Sequence, residues 1–318
     1  MNTAENVALY LAYRARWRGP EIAFWLVAAA TLFALPGKHL ILAEIAILGL
    51  FALSLDLILG YAGILSLGHA AFFGVGAYAA GLLAKHGLIA EPIAALVAAA
   101  AVAAALGFVS SFLVLRGSDL ARLMVTLGVA LVLRELANRY DKLTGGADGL
   151  QGITVAPLLG RFEFDLGGHT GYAYSLAVLF ALFLLARRIT NSPFGLSLRA
   201  VKGNALRASA VGISVNARLV AVYTLAAAYA GAAGALLTQT TQFCSLDVFS
   251  FERSADLLMV LILGGTGYLY GGLIGAVVFK LMQDWLAAVT PQYWQFWIGL
   301  MLVLIVLVGR ERFLVVRR

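Results

Sequence analysis

Four histidines, His39, His69, His86 and His169, and one cysteine, Cys244, are the residues of this chain best suited to nucleophilic catalysis or metal binding. They are scattered. An intramembrane hydrolase needs a nucleophile beside a base, and a metal site needs ligands recurring at helical spacing. No pair here is spaced that way, so no catalytic residue, cofactor site or metal site is expected. One cysteine cannot form an intramolecular disulfide or a cysteine-based metal cluster, and Cys244 reads as a small apolar residue. No Gly-x4-Gly-Lys-Ser/Thr phosphate loop occurs either, so any use of ATP must come from a partner.

A second chemistry, ion coupling, requires carboxylates inside a membrane. Glu44, Asp56 and Asp284, with Lys280, are the candidates. Each falls near the end of an apolar run, where snorkelling or loop placement accounts for it. An ion-coupled secondary transporter is thus the rival reading from a different class. His69 sits inside an apolar run and reads as a packing histidine rather than a solute ligand.

The elements that position these residues are set by composition. Of 318 residues, 62% are hydrophobic and 12% charged, and the mean hydropathy is +0.92. A soluble core is excluded on those figures. Uncharged apolar runs over residues 93–115, 219–238, 257–279 and 293–309 suit helices crossing a hydrocarbon core of about 30 Å. Weaker runs cover 22–35, 120–137 and 172–186. Residues 40–84 read as two spans meeting near 61–68. Unbroken runs favour helices over a barrel, so the fold class is all-α, a polytopic transmembrane bundle of about eight spans (8–10). The 257–279 run is interrupted by Gly264-Gly265-Thr266-Gly267 and Gly271-Gly272. It reads as one tilted helix, two short helices or a re-entrant pair. Residues 1–318 form a single membrane domain, and 22–35 reads as a retained first helix rather than a cleaved signal.

Charge orients the bundle. Residues 187–218 hold Arg187, Arg188, Arg199, Lys202, Arg207 and Arg218 and no acid, whereas 139–170 mix Arg139, Lys142 and Arg161 with Asp141, Asp148, Glu163 and Asp165. The first loop is expected inside, with both termini, and the second outside. The net charge of +7 gathers at span ends, not on a nucleic-acid-binding face. Trp285, Tyr293, Trp294 and Trp297 read as an interfacial belt.

Within the basic loop, about 190–216, Ser192-Pro193 signals a helix start. Leu198, Val201, Ala205 and Ala208 give one apolar face, and Arg199 and Lys202 share another. Gly203-Asn204 breaks the run and Gly212 suits a C-terminal cap, which predicts a helical hairpin. Pattern alone leaves open whether it docks on a partner or merely fixes topology. Gly60, Gly63, Ser66, Gly68 and His69 belong to a stretch whose glycines permit a helix break near a path, as do Gly264 and Gly265. Gly74 and Gly76 read as helix-packing glycines.

Ser192-Pro-Phe-Gly-Leu-Ser-Leu-Arg-Ala-Val-Lys202, continuing to Ala210-Val-Gly-Ile213, resembles the coupling segment of ABC importer permeases, and more narrowly the LivM-type permeases of branched-chain amino acid importers. Gly60-Tyr-Ala-Gly-Ile-Leu-Ser-Leu-Gly-His-Ala-Ala-Phe-Phe-Gly-Val-Gly-Ala-Tyr78, Leu143-Thr-Gly-Gly-Ala-Asp-Gly-Leu150 and Leu263-Gly-Gly-Thr-Gly-Tyr-Leu-Tyr-Gly-Gly-Leu-Ile-Gly-Ala276 resemble the same family, in its order and spacing. The resemblance implies a bacterial inner-membrane importer: this chain beside a sister LivH-type permease, two cytoplasmic ABC ATPases and a periplasmic substrate-binding protein. It implies ATPase contact by Gly195, Arg199, Ala200, Val201, Lys202, Arg207, Gly212 and Ile213, and binding-protein contact by Thr144, Gly145, Gly146 and Asp148. Family members commonly carry acidic residues in mid-segment, where this chain has Gly203-Asn204, Arg207 and Ser209. Either the partner ATPase presents a more acidic groove or this branch differs. Urea and short-chain amide importers share the permease type, so the resemblance leaves the solute open among these and branched-chain amino acids.

Overall fold

The computed structural model describes residues 16–165 and 167–308. Arg14 and the tail arginines Arg310, Arg312, Arg317 and Arg318, whose positive charge is the basis for expecting both termini inside, lie outside them.

The long helices are α1 (Gly19–Ala34), α2 (His39–Ala62), α3 (Ala70–Lys85), α4 (Pro92–Val114), α5 (Asp119–Arg139), α7 (His169–Thr190), α10 (Val215–Thr241), α11 (Phe251–Gly264), α12 (Leu269–Val289) and α13 (Trp294–Val308). Short helices α6 (Asp141–Thr144), α8 (Pro193–Gly203) and α9 (Ala205–Ala210) and two 3-10 turns complete the described chain. Five helices, α2, α4, α7, α10 and α12, are long and apolar enough to cross a membrane, and α1 and α3 are shorter apolar helices. The helices begin where local chemistry frees them to. Pro92 opens α4 while the Glu91 side chain accepts from the Ala94 amide at 2.7 Å. Before α7, the Asp165 carboxylate accepts from the His169 and Thr170 amides at 3.2 and 3.0 Å.

Two helices form the centre. α10 is built of alanine and glycine from Ala226 to Ala235 apart from Tyr229, nearly all buried, and such a surface lets neighbouring backbones approach closely. A Cβ at Gly76 of α3 would collide with the Gly231 backbone, and one at Gly231 with Ala103 of α4. α3, α4 and α10 therefore pack as one slab at glycine contacts, and Gly76 is a packing glycine. The other central helix, α2, is buried over most of its length. It lies against α7, α10 and α12. Leu26, Val27 and Phe33 on α1, Val109 and Leu113 on α4 and Met124 and Val132 on α5 remain exposed, an outward apolar surface suited to lipid or to another membrane subunit.

The sequence left residues 257–279 with three readings, and the fold takes one of them. α11 ends at Gly264 and α12 starts at Leu269, two helices folded back on each other across a glycine turn. The 40–84 region divides at 63–69, between α2 and α3.

Candidate functional site

α2 is an axis that joins two differently built ends, and the sites follow it. From Glu44 to Gly60 it rises about 24 Å at 1.5 Å per residue.

At the hairpin end, α8 and α9 form two short helices with Leu198, Val201 and Ala208 buried. Two details differ from the sequence expectation. Ala205 is exposed, because the break turns α9 out of register with the apolar stripe of α8. Ser192 does not cap α8: its hydroxyl donates to the Ile189 carbonyl at 2.6 Å. The cap belongs to Asn204, whose side chain accepts from the Arg207 amide at 2.9 Å and starts α9. Gly212 adopts φ +86°, the left-handed conformation that suits a helix terminator. Gly195 is buried, and any side chain there would run into the Thr190 backbone at the α7–α8 corner. It serves the tightness of that corner, whereas Ala200, Lys202 and Arg207 are exposed.

The hairpin is tied to the end of α2. The Lys202 ammonium donates to the Gly60 carbonyl at 2.7 Å, and the Arg199 guanidinium lies 5.1 Å over the Tyr61 ring. One turn back along α2, the Asp56 carboxylate accepts from the Gly267 amide at 2.6 Å. A Cβ at Gly60 would overlap both Asp56 and the Gly267 amide. Hairpin, α2 terminus and α11–α12 turn thus meet at one point. Sequence reasoning placed Asp56 near a span end and gave it no role. It is fully buried, and a buried carboxylate persists where hydrogen bonds receive it. Arg187, also buried, pairs with Glu21 at 2.7 Å and fastens the start of α1 to the end of α7.

Between α2 and α3 the chain leaves the helical conformation, with Ile64, Ser66 and Gly68 buried and Gly63 and Leu65 exposed. Gly63 closes α2 at φ +76°. Leu67 donates its amide to the Thr126 hydroxyl at 3.3 Å, and a Cβ at Gly68 would strike the Thr126 carbonyl. Ser66 is buried. His69 has no exposure; its Nε2 lies 2.8 Å from the Ser54 hydroxyl, and its ring stacks on Phe51 with centroids 5.7 Å apart. Its ring is enclosed by packed neighbours.

The opposite, far end of α2 opens into a cavity of about 520 Å³. Its apolar floor is Ile47, Leu48, Phe51, Phe73 and Leu237, with the Phe51 and Phe73 rings 4.5 Å apart. Its walls are charged. Lys280 of α12 pairs with Glu44 of α2 at 2.7 Å and with Asp284 at 3.4 Å. Arg253 of α11 pairs with Asp247 at 3.2 Å, and Glu252, Asp256, Gln283 and Trp294 are among the other lining residues. Sequence reasoning singled out Glu44, Lys280 and Asp284 but treated them as separate span-end charges. Asp247, Arg253 and Asp256 it missed. The i, i+3 spacing of Arg253 and Asp256 on a helix was the available signal. Their convergence with α2 and α12 is tertiary.

The glycine-rich far-side turn is a closed structure. Thr144 is buried and its hydroxyl donates to the carbonyls of Ala137 and Tyr140. Gly146 is buried and Gly145 half-buried, both at positive φ, and only Asp148 of the four candidates is exposed. Leu150 next to it pairs with Cys244, amide to carbonyl at 2.7 Å. Cys244 is a buried free thiol.

Residues 39–306, which hold both ends of α2, the broken helices and the hairpin, match the family described as the permease component of branched-chain amino acid transport systems. The chain belongs to that family. It is 30% identical over 266 residues to the high-affinity branched-chain amino acid transport system permease protein LivM of Escherichia coli, and equally to that of Salmonella typhimurium. Each match covers 74% of this chain and 61% of the relative, so the chain aligns with less than two thirds of those proteins. A shorter match, 32% over 118 residues and 35% of each chain, is to the probable ABC transporter permease protein YphD of Escherichia coli. No solved structure matches. In this member of the family, the described site is a set of helix junctions around α2.

Proposed function

We propose that this chain is a membrane-spanning permease subunit of an ATP-driven importer of branched-chain amino acids. In this reading it sits in a bacterial inner membrane with the hairpin end and both termini in the cytoplasm, hydrolyses nothing itself, and forms the solute path together with a sister permease of the LivH type. Two ATPase subunits dock on the hairpin, and a periplasmic binding protein delivers solute to the far end, with Asp148 at the rim of its footprint. The single observation that carries the reading is the bond from Lys202 to the Gly60 carbonyl. A loop that only fixed topology would need no tie to the core, whereas a lever needs one.

Mechanistically, ATP binding would draw the ATPases together and displace α8. Lys202 and Arg199 would pull on residues 60 and 61, and Asp56 would carry the displacement to the Gly267 turn. α11 and α12 pivot there. Bistable packed elements transmit motion in this way because cores do not deform continuously. The ion-coupled alternative needs intramembrane carboxylates left free for ions, and Asp56 and Glu44 are both engaged.

Affinity capture of the full chain from detergent-solubilised native membranes tests this. Recovery of a second permease and an ATPase, with ATP-dependent uptake after reconstitution, is the expected result. Recovery of the chain alone, with uptake driven by an ion gradient and no ATP, would overturn it.

A further inference from the structure

We propose that the far-end cavity is a solute-selecting site in the permease itself: Asp256 receives an α-ammonium group, Arg253 the α-carboxylate, and the Phe51–Phe73 floor an apolar side chain. The inference rests on the importer reading and adds a second point of selection to it. Four observations carry it. The cavity, about 520 Å³, falls within the roughly 300–1,000 Å³ typical of small-molecule sites. Asp256 is half-buried, and among the described residues its carboxylate makes no hydrogen bond or ion pair, while every other unexposed charge lining the cavity has a partner. Arg253 spends Nε and Nη2 on Asp247, and a guanidinium has five N–H donors, so it keeps some for a second carboxylate. Lys280 is less suited, held between Glu44 and Asp284.

Spacing supplies the fourth. Residues three apart on a helix have Cβ atoms about 5–6 Å apart, so Arg253 and Asp256 present opposite charges side by side on one face of α11. The two charges of an α-amino acid are likewise adjacent, on substituents of one carbon. Antiparallel engagement of the pairs satisfies both, and the third substituent then points to the aromatic floor. A neutral solute such as urea or a short amide would desolvate Asp256 without neutralising it, and an unpaired buried charge is costly. The geometry therefore favours a zwitterion with an apolar side chain over an amide, an issue the resemblance left open.

A unique thiol reads occupancy directly. Cys244, the chain's one cysteine, is buried, so Gln283→Cys on the cavity wall gives a single accessible site on this chain, whose labelling in native membranes is read on the chain's own band. Its labelling rate by an uncharged methanethiosulfonate is measured with and without solute. At about 10 mM leucine, a site with Kd of about 1 mM slows labelling about tenfold. Acetamide and urea should have no effect, and isoamylamine and 4-methylpentanoate, each lacking one charge, should protect several-fold less. Asp256→Asn should abolish protection with the unprotected labelling rate unchanged, which certifies an intact cavity, and Glu252→Gln at the exposed rim should retain it. Leucine protection that survives Asp256→Asn, equal protection by acetamide, or no protection by leucine would each overturn the proposal. Because labelling needs no ATP hydrolysis, these outcomes stand apart from the capture and uptake experiment that decides the importer reading.

Discussion

The two ends of α2 are held by opposite means. At the hairpin end the contacts run through backbone: a lysine on a glycine carbonyl, an aspartate on a glycine amide, a glycine at 60 that leaves no room for a side chain and one at 267 held at φ +79°. At the far end they run between side chains, Glu44 to Lys280 and Arg253 to Asp247, around an open volume. Backbone contacts are fixed in length and tolerate no added atoms. Side-chain ion pairs can swing and exchange partners, and in partial contact with water each is worth little. The contrast suits a lever at one end and a solute chamber at the other.

The sharpest way to break the contrast is to add atoms at the hairpin end. Gly60→Val should be the most damaging single change, destabilising by about 3 kcal/mol through overpacking and abolishing uptake. Loss of the monodisperse peak in detergent alongside uptake measures it, and a normal peak with normal transport would refute the close packing. Lys202→Met removes the bond and keeps the stem. It should cost about 1 kcal/mol of coupling, roughly a fivefold fall in solute moved per ATP, with assembly unchanged. The ratio of uptake to ATP hydrolysis in proteoliposomes reads this.

Smaller effects sharpen the far end. Asp165→Ala, outside the bundle, removes the cap on α7 and should lower stability by about 0.5 kcal/mol, the low end for caps because the site is exposed. The Thr170 amide, with His169, holds the Asp165 carboxyl below its ordinary value of 3.8. A lowered folded pKa means the contribution is complete above that ordinary value and fades as pH falls through the folded one. The deficit of the variant should therefore be constant across neutral pH and vanish only in strong acid, as thermal melts at several pH values would register. Smallest of all, Glu44→Gln leaves Lys280 its second partner Asp284 and should shift uptake by less than about twofold. A tenfold loss would mean that this pair, and not Asp256, organises the cavity.

The helices were legible because burial in hydrocarbon demands long apolar runs, and those runs are local. Residues 93–115 became α4 and 219–238 became most of α10. The hairpin was legible for a related reason: proline, asparagine and glycine act on their own backbone, so Pro193, Asn204 and Gly212 mark its corners wherever it packs. The break at Gly264-Gly265 was visible, but its outcome was not, since one glycine run permits several backbones and only the Asp56 carboxylate meeting Gly267 chooses among them.

Composition, periodicity and motif order determined by themselves that this chain is a helical membrane protein with a basic hairpin and glycine breaks. Tertiary structure alone decided what the ionisable residues do. Asp56 and Glu44 on α2, Arg253 and Asp256 on α11 and Lys280 on α12 come from three helices, and each reads singly as a peripheral charge. Their roles come from which opposite charge, amide or open volume lies across from them, and a side chain's electrostatic partner is fixed by packing between helices rather than by its neighbours in sequence.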